Sequence, residues 1–521
     1  MQFPLTTYNS QTVSTLLKER KRSEQFLFLL LFLSTLCLVP LLVIGGVAFG
    51  FGTVAALIGI LLLGALVVRW PVVGFFLVVT GALVIDQSPL ALLGNKPEVY
   101  VFYWPPSLEG LPDRPIGFFI VFVLLVTLMH GLLRRQKTLR GGALLPAYLF
   151  LMLCVLWGIV HGLMGSGNIK IMVNEVRPFW YLFLGYVLGY NLVHSKKQIY
   201  LFFWFVIIGA GIKAFEGCYI YVFILHMKLD GINEIMSHED SYFWCAILLL
   251  IVLFSLHHRY WPQFATSLAL LPFLLVALVA NNRRTDFGAL MLAVLVAWLL
   301  LFLIRPEARK SLTLVLVITV LVVGAYVAAF GNQNGGFSLP ARAVLSLFHP
   351  DPRDAASNAY RAIEDYDLQY TVHQNPLGLG FGKPFLEPIL LPNILSIDPV
   401  YLFIPHNTIY WVWMRLGPIG YVALWVFFGA IIVRGCFYTR QLNDRYLQLV
   451  AIYVVCMVIM EIIVAYYDYQ LSFYRNVLYV GILVGILMKL PFIDAGEEPN
   501  ARENTRAHTE LPLPYLGSGH A

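Results

Sequence analysis

The sequence is poor in charged residues. Of its 521 residues only 12% are Asp, Glu, Lys or Arg, whereas 59% are hydrophobic, and the mean hydropathy is +0.76. A soluble domain carries about 25% charged residues, so this composition excludes an ordinary soluble protein and predicts one that crosses the membrane many times. The net charge of +6 gives no reason to expect a nucleic-acid partner, because the basic residues fall in short segments between apolar runs.

Cysteine is also scarce, and its six positions lack the spacing of a disulfide framework or a zinc site. We therefore interpret these cysteines as small buried residues. No acidic metal cluster and no Ser-His-acid pattern is apparent in the segments predicted to be outside, so we expect no metal and no other cofactor. A cleavable signal peptide is not evident either, because the apolar stretch 26–44 is too long for one.

Apolar runs long enough to form transmembrane helices recur along the chain. A span needs about 20 largely apolar residues, which predicts an all-α, polytopic protein with roughly fourteen spans: 26–44, 49–68, 71–86, 116–133, 143–162, 177–194, 199–224, 242–257, 264–280, 287–304, 311–330, 407–432, 447–466 and 475–490. The predicted organisation is a cytoplasmic segment 1–25, a bundle over 26–330 with about eleven spans, a large, partly helical periplasmic loop over 331–406, the last spans over 407–490 and a flexible cytoplasmic tail over 491–521.

The distribution of basic residues predicts the orientation. With the N-terminus inside, every predicted inner connection carries Lys or Arg, as in 134–140 and 305–310, which agrees with the positive-inside rule. The outer connections are mostly poor in positive charge. The exceptions are Lys170, Arg177, the Arg283-Arg284 doublet and several residues of the 331–406 loop. Because charge at an outer helix junction opposes insertion, we expect these residues to have a function, with an external anion as the leading ligand.

The Arg283-Arg284 doublet lies between the apolar runs 264–280 and 287–304. A helix that begins near Arg284 places Gly288 one turn away on the same face, which leaves space for a ligand. Guanidinium groups suit phosphate oxygens. The alternative is that both arginines reach lipid headgroups, while Asp286 neutralises one of them.

Arg177 and His406 stand at two other predicted outer junctions. Arg177 is expected to open the sixth span, where the helix dipole is already positive, so a bound anion would explain it. Pairing with Glu175 or with lipid headgroups is the alternative. His406 precedes the twelfth span, and the positive helix end should keep its imidazole neutral and able to accept a proton. Asn407 or Thr408 is expected to cap that helix. An ordinary interfacial histidine is the alternative for His406.

The 331–406 loop has helical spacing over 353–371, followed by a glycine-rich turn region over 375–382. Within the predicted helix, Arg361 and Asp365 have the spacing of a local ion pair, and contact of Arg361 with substrate is the alternative. Lys213 and Glu216 lie inside the seventh span. An intramembrane pair indicates function by default, although a mutually neutralised structural pair explains it equally well.

Arginines with one histidine, and no metal, suit a reaction in which a phosphate group leaves. The arginines would stabilise the negative charge that develops on a pyrophosphate as its bond to a sugar breaks. The histidine would take the proton of an attacking hydroxyl.

Three segments in order resemble the O-antigen ligase/O-antigen polymerase superfamily. They are 283–288, the stretch from Arg361 to 375–382, and 405–407 followed by Leu416-Gly417-Pro418-Ile419-Gly420. The resemblance implies a bacterial inner-membrane glycosyltransferase that takes glycan from undecaprenyl diphosphate on the periplasmic face. Its acceptor would be lipid A-core or another glycan, in lipopolysaccharide or exopolysaccharide synthesis. Carried over to this chain, the resemblance implies catalytic roles for His406, Arg283 and Arg284, and diphosphate contacts for Arg361, Arg284 and, more loosely, Arg177.

Two other classes of function stay open from the sequence. A transporter, such as a flippase for lipid-linked oligosaccharides, would favour charged or broken spans at the membrane midplane. A scaffold in envelope assembly would need no site at all. The gathering of charge at one face favours the enzyme.

Overall fold

The computed structural model describes residues 51–85, 115–133, 139–229, 235–333, 338–346, 352–391 and 402–496. Within these ranges the regular secondary structure is helical, with no strand, so the predicted all-α class is confirmed. The predicted first span over 26–44 lies outside the described residues. The chain divides into two units after Trp70, and helix α1 (Phe51–Arg69) belongs to the first.

The second unit begins at Pro71 and contains the other helices that the structure describes. They are α2 (Pro71–Val84), α3 (Pro115–Leu133), α4 (Leu145–Met164), α5 (Ile169–Leu192), α6 (Lys196–Tyr219), α7 (His238–Leu256), α8 (Trp261–Asn281), α9 (Arg284–Ile304), α10 (Arg309–Phe330), α11 (Leu339–Leu345), α12 (Pro352–Gln374), α13 (Thr408–Gln441), α14 (Arg445–Tyr467) and α15 (Tyr474–Asp494). A π-helical segment (Ile220–Ile224) extends α6, and a 3-10 turn (Gln470–Ser472) separates α14 from α15.

Ten helices in the described part of the chain are long and apolar enough to cross a membrane: α3, α4, α6, α7, α8, α9, α10, α13, α14 and α15. The protein is therefore a polytopic helical membrane protein, as the composition predicts. Helix α2 has 14 residues and is shorter than a span. Helix α5 is more polar and is not among the ten. The count of fourteen spans stays a prediction.

Helices α5 and α15 pack with their backbones in contact. Gly185 and Gly189 of α5 face Gly481 and Gly485 of α15, and a Cβ at Gly185 would lie 2.5 Å from the carbonyl oxygen of Leu478. Small residues four apart allow such close approach between membrane helices. The arrangement fixes α15, and with it the connection that leads into α15 from α14.

The segment between α10 and α13 contains α11, α12 and a non-helical stretch that we call the glycine loop (375–382). Helix α12 confirms the predicted helix over 353–371, and the turn predicted over 375–382 is also present. Helix α9 begins at Arg284, as predicted. The α8–α9 connection, the start of α13 and the α14–α15 connection meet at one end of the bundle, which we call the Arg283 end.

Candidate functional site

Asp468, in the connection between α14 and α15, organises the charges at the Arg283 end. Its Oδ2 lies 2.8 Å from Nδ1 of His238 and 4.0 Å from Nη1 of Arg283. Arg283 also contacts Nε2 of the same histidine. The other oxygen, Oδ1, accepts a hydrogen bond from the backbone N–H of Tyr469 at 2.9 Å. One buried carboxylate thus holds a histidine and an arginine from two other connections.

The surrounding charges fix the ionisation of this group. Burial alone would raise the pKa of Asp468, but His238, Arg283 and His406 lower it well below the ordinary value. Burial lowers the pKa of Arg283, and the positive charge of Arg361 lowers it further, against the opposing effect of Asp468. Asp468 is therefore an anion at neutral pH, and it stabilises a partly buried cation.

His406 precedes α13, and Glu364 of α12 holds its ring. Nδ1 lies 3.2 Å from each carboxylate oxygen, and the backbone N–H of His406 donates to Oε2 at 2.9 Å. An ionised carboxylate can only accept, so we assign the ring hydrogen of the neutral imidazole to Nδ1. Nε2 is then the nitrogen that can accept a proton. A base oriented by a carboxylate is the arrangement that acid–base catalysis requires.

Two tyrosines flank His406. The rings of Tyr360 and Tyr469 meet it edge-on, with centroids 5.5 and 5.6 Å away. Asn407 caps α13, as predicted, because its Oδ1 accepts from the backbone N–H of Tyr410 at 3.1 Å. These contacts hold the His406 ring at the N-terminus of α13.

Arg361 brings a second guanidinium group to the same place. It precedes Glu364 by one turn of α12, and its charge acts on Arg283. The predicted ion pair with Asp365 is not formed within the described residues. Asp365 instead accepts a hydrogen bond from Nδ2 of Asn407 at 3.0 Å, and burial raises its pKa. Nε of Arg361 is buried and has no hydrogen-bond partner in the described structure.

We call the set Asp468, His238, Arg283, Arg361, Glu364 and His406 the Asp468 site. Its two arginines repel one another, and Oδ2 of Asp468 lies 4.0 Å from Arg283. An anion bound between the two guanidinium groups would stabilise both. The arrangement could therefore bind an anion beside a histidine that can accept a proton.

The glycine loop docks against a break in α13. Pro418 has no N–H, so the carbonyl of Met414, four residues earlier, loses its helical partner. The N–H of Leu379 donates to that carbonyl at 2.6 Å, and the N–H of Gly380 donates to the carbonyl of Arg415 at 3.2 Å. The Gly-Pro pair in α13 is therefore the attachment point of the loop.

Glycine is required in this loop for conformational reasons. Gly378 has φ +94°, Gly380 has φ +80°, and L side chains rarely adopt either value. A Cβ at Gly380 would also lie 2.5 Å from the backbone nitrogen of Gly162 in α4. The loop thus needs both the left-handed backbone and the close approach.

A buried ion pair holds the loop from the other side. Nη2 of Arg415 lies 2.6 Å from Oε1 of Glu175, and both side chains are completely buried. Nη1 of Arg415 donates to the carbonyls of Gly380 and Lys383, while the backbone N–H of Gly382 donates to Oε2 of Glu175 at 2.6 Å. This pair joins α5, α13 and the glycine loop.

The two remaining predicted site residues lie elsewhere. Arg284 turns toward α11, where its Nη1 donates to Oγ of Ser346 at 3.3 Å. Arg177 lies within α5 and does not open it, because the helix begins at Ile169 behind an Asn168 cap. The argument from the helix dipole is therefore wrong for Arg177. Arg177 donates to Oδ1 of Asn174 at 2.9 Å, whereas Glu175 pairs with Arg415.

Asp468, His238 and Glu364 were not among the residues predicted from the sequence. Asp468 follows three apolar or aromatic residues in a connection without positive charge. His238 is the first residue of a helix whose sequence resembles that of an ordinary transmembrane span. One signal could have identified Asp468: it is an acid between two apolar runs, and it lies on the same predicted face of the membrane as the arginine doublet. Glu364 has no local signal, since its partner His406 lies 42 residues away.

The structure also places the other singled-out groups. Lys213 and Glu216 form a buried pair at 2.7 Å, as the structural interpretation predicts. The five cysteines within the described residues are free thiols. In the same part of the chain, no three His, Cys, Asp or Glu side chains are arranged to hold a metal ion.

No family model and no curated protein matches this chain.

Proposed function

We propose that this protein is a glycosyltransferase that moves a glycan from a polyprenyl-diphosphate carrier to an acceptor hydroxyl at the Arg283 end. The observation that supports this most strongly is the shared position of a carboxylate-oriented histidine and two guanidinium groups. His406 supplies a base, and Arg283 and Arg361 supply positive charge for a phosphate. A membrane-embedded bundle gives the lipid tail of such a donor a place beside the site.

The reaction assigns one role to each group. Nε2 of His406 removes the proton of the acceptor hydroxyl as its oxygen forms a bond to the anomeric carbon. The bond between that carbon and the diphosphate oxygen breaks, and the diphosphate leaves with the bonding electron pair. Arg283 and Arg361 stabilise the added negative charge, and the proton on His406 then passes to the released diphosphate or to water.

The finer assignment follows the superfamily resemblance. The carrier is undecaprenyl diphosphate, the membrane is the bacterial inner membrane, and the Asp468 site faces the periplasm together with the 331–406 loop. The acceptor is lipid A-core or another glycan, in lipopolysaccharide or exopolysaccharide synthesis. Roughly fourteen spans with both termini in the cytoplasm complete this topology.

Transfer by the purified protein tests the proposal. The full chain is reconstituted in liposomes with an undecaprenyl-diphosphate-linked glycan and an acceptor extract, and glycan transfer is followed by gel shift. We expect His406→Ala to lower the rate by about 10²–10⁴-fold, the usual contribution of a general base. Glu364→Gln should lower it less and shift the pH profile. Arg309→Ala, at the opposite end of the bundle, is the matched control and should leave the rate unchanged.

Two results would reverse the assignment. Wild-type transfer that His406→Ala leaves intact would remove the catalytic role of the histidine. Protein-dependent movement of the lipid-linked glycan between leaflets, without any new glycosidic bond, would replace the enzyme with a flippase, which is the transporter alternative.

A further inference from the structure

Glu461 is a buried acid that the proposed reaction does not use. It lies on α14 and is completely buried. Neither of its carboxylate oxygens has a hydrogen-bond partner within the described residues. Glu216 is also buried, yet it has Lys213 at 2.7 Å. An ionised carboxylate without a partner is very costly in an apolar interior, so Glu461 requires a positively charged ligand.

The neighbours of Glu461 add to this requirement. Asp286 in the first turn of α9 and Glu239 of α7 both act on it electrostatically. Asp286 is buried, and its Oδ1 has no hydrogen-bond partner in the described structure. The hydroxyl of Tyr242 on α7 donates to the carbonyl of Met457, one turn before Glu461. The charged groups that face Glu461 in the described helices are therefore acids.

The buried arginine of this region is already engaged. Nη2 of Arg475 lies 3.0 Å from Oδ1 of Asp240, and its Nε donates to the carbonyl of Ala82 at 2.8 Å. Its Nη1 lies 3.9 Å from Glu239. Arg475 thus compensates the two acids at the start of α7 and is not an ion-pair partner of Glu461.

Asp286 is coupled electrostatically both to Glu461 and to the Asp468 site. Its charge acts on Glu461, and the charges of Asp468, Arg283 and His238 act on Asp286. The geometry does not suit a metal ion, because the described residues contain no group of three ligands close enough to hold one. A proton needs only one oxygen, and it neutralises the carboxylate.

We propose that Glu461 is a proton-binding site inside the membrane, and that its occupancy depends on the charge of Asp286. A proton on Glu461 removes the uncompensated charge from the interior. This inference does not depend on the proposed transfer reaction.

Labelling with dicyclohexylcarbodiimide tests it. This apolar reagent adds to protonated carboxyl groups that are shielded from water, and mass spectrometry locates the adduct. With the full-length protein in detergent, we expect an adduct at Glu461 at a pH of about 7, where an exposed glutamate is ionised. The adduct should decrease as the pH rises, and Asp286→Asn should move that decrease to lower pH, because a negative neighbour favours the proton.

Matched controls separate protonation from burial. Glu216 is as deeply buried but is paired with Lys213, so it should stay unlabelled. Glu461→Gln should remove the adduct and fold normally, because the amide resembles the protonated acid in shape and charge. Equal labelling of Glu216, no labelling of Glu461, or misfolding of Glu461→Gln would overturn the proposal. Protection of Glu461 by sodium, compared with choline at the same ionic strength, would replace the proton with a metal cation.

Discussion

Two arginines in the same half of the bundle are held in different ways. Arg415 is completely buried, and its two terminal nitrogens donate to Glu175 and to the carbonyls of Gly380, Lys383 and Phe403. Arg283 keeps 21% of its side chain exposed, lies 4.0 Å from Asp468 and faces the charge of Arg361.

Under the proposed function, the comparison separates a structural arginine from one that binds substrate. Arg415 has a carboxylate and backbone oxygens around it, so a ligand would find few donors to bind. Arg283 has a more distant carboxylate and a positively charged neighbour, so an anion would stabilise it. The partners of an arginine therefore indicate whether it can bind a ligand. Its burial or its position in the sequence is not sufficient to decide this.

The largest effect is expected from Arg415→Ala. Removing one partner of a buried ion pair leaves an uncompensated charge and costs about 3–5 kcal/mol. Glu175 would lose its ion-pair partner, and the glycine loop would lose its attachment to α5 and α13. We expect little monodisperse protein in size-exclusion chromatography. A well-folded, thermally stable Arg415→Ala protein would contradict the structural role.

Arg283→Ala should show the opposite pattern. The protein should fold and elute normally, while glycan transfer falls by about 10²–10³-fold, as when one stabilising donor is removed from an oxyanion site. Arg283→Lys should recover part of the rate, because it retains the charge but loses the planar fork. Arg284→Ala should have a smaller effect. A larger effect for Arg284→Ala than for Arg283→Ala would reverse our preference within the doublet.

A third test uses pH and Asp468. Its pKa is lower in the folded protein than in the unfolded chain. The charged form therefore stabilises the fold above the ordinary pKa of about 4, and this contribution is lost as the pH falls through the folded-state value. Asp468→Asn should lower the melting temperature at neutral pH, and the difference from wild type should shrink below a pH of about 4. A difference independent of pH would contradict the ionised assignment.

The smallest effect is expected from Gly380→Ala. A left-handed conformation costs an alanine about 1–2 kcal/mol, and the added methyl would also press against Gly162. We expect a lower melting temperature with the fold retained. Gly429→Ala is the matched control, because a Cβ there meets no atom within 4 Å. Equal melting temperatures for the two variants would show that the glycine loop is not docked as described.

Local signals in the sequence were sufficient for the helices that position the site. The apolar run after Arg284 and the Asn407 cap before α13 predict where those helices begin, and both starts are confirmed. The predicted start of the sixth span at Arg177 is wrong, because α5 begins at Ile169 and continues through Pro178. Its first turns are polar, so hydropathy does not reveal them.

The long-range contacts could not be predicted from sequence patterns. Asp468 is joined to His238 across 230 residues and Glu175 to Arg415 across 240, and no local motif marks either pair. The docking of the glycine loop depends on a carbonyl released by Pro418, which becomes visible only when both segments are placed. The tertiary structure also distinguishes Arg283 from Arg284, because adjacent helix-start residues point in different directions.

The most direct test of the central claim is a double-mutant cycle on Arg283 and Arg361. Binding of undecaprenyl diphosphate to the full chain in nanodiscs is measured for wild type, Arg283→Ala, Arg361→Ala and the double variant, with Arg309→Ala as control. If both guanidinium groups hold one diphosphate, each single change weakens binding, and their effects are coupled by about 1 kcal/mol or more. Unchanged affinity in either single variant, or strictly additive losses, would contradict a shared anion site.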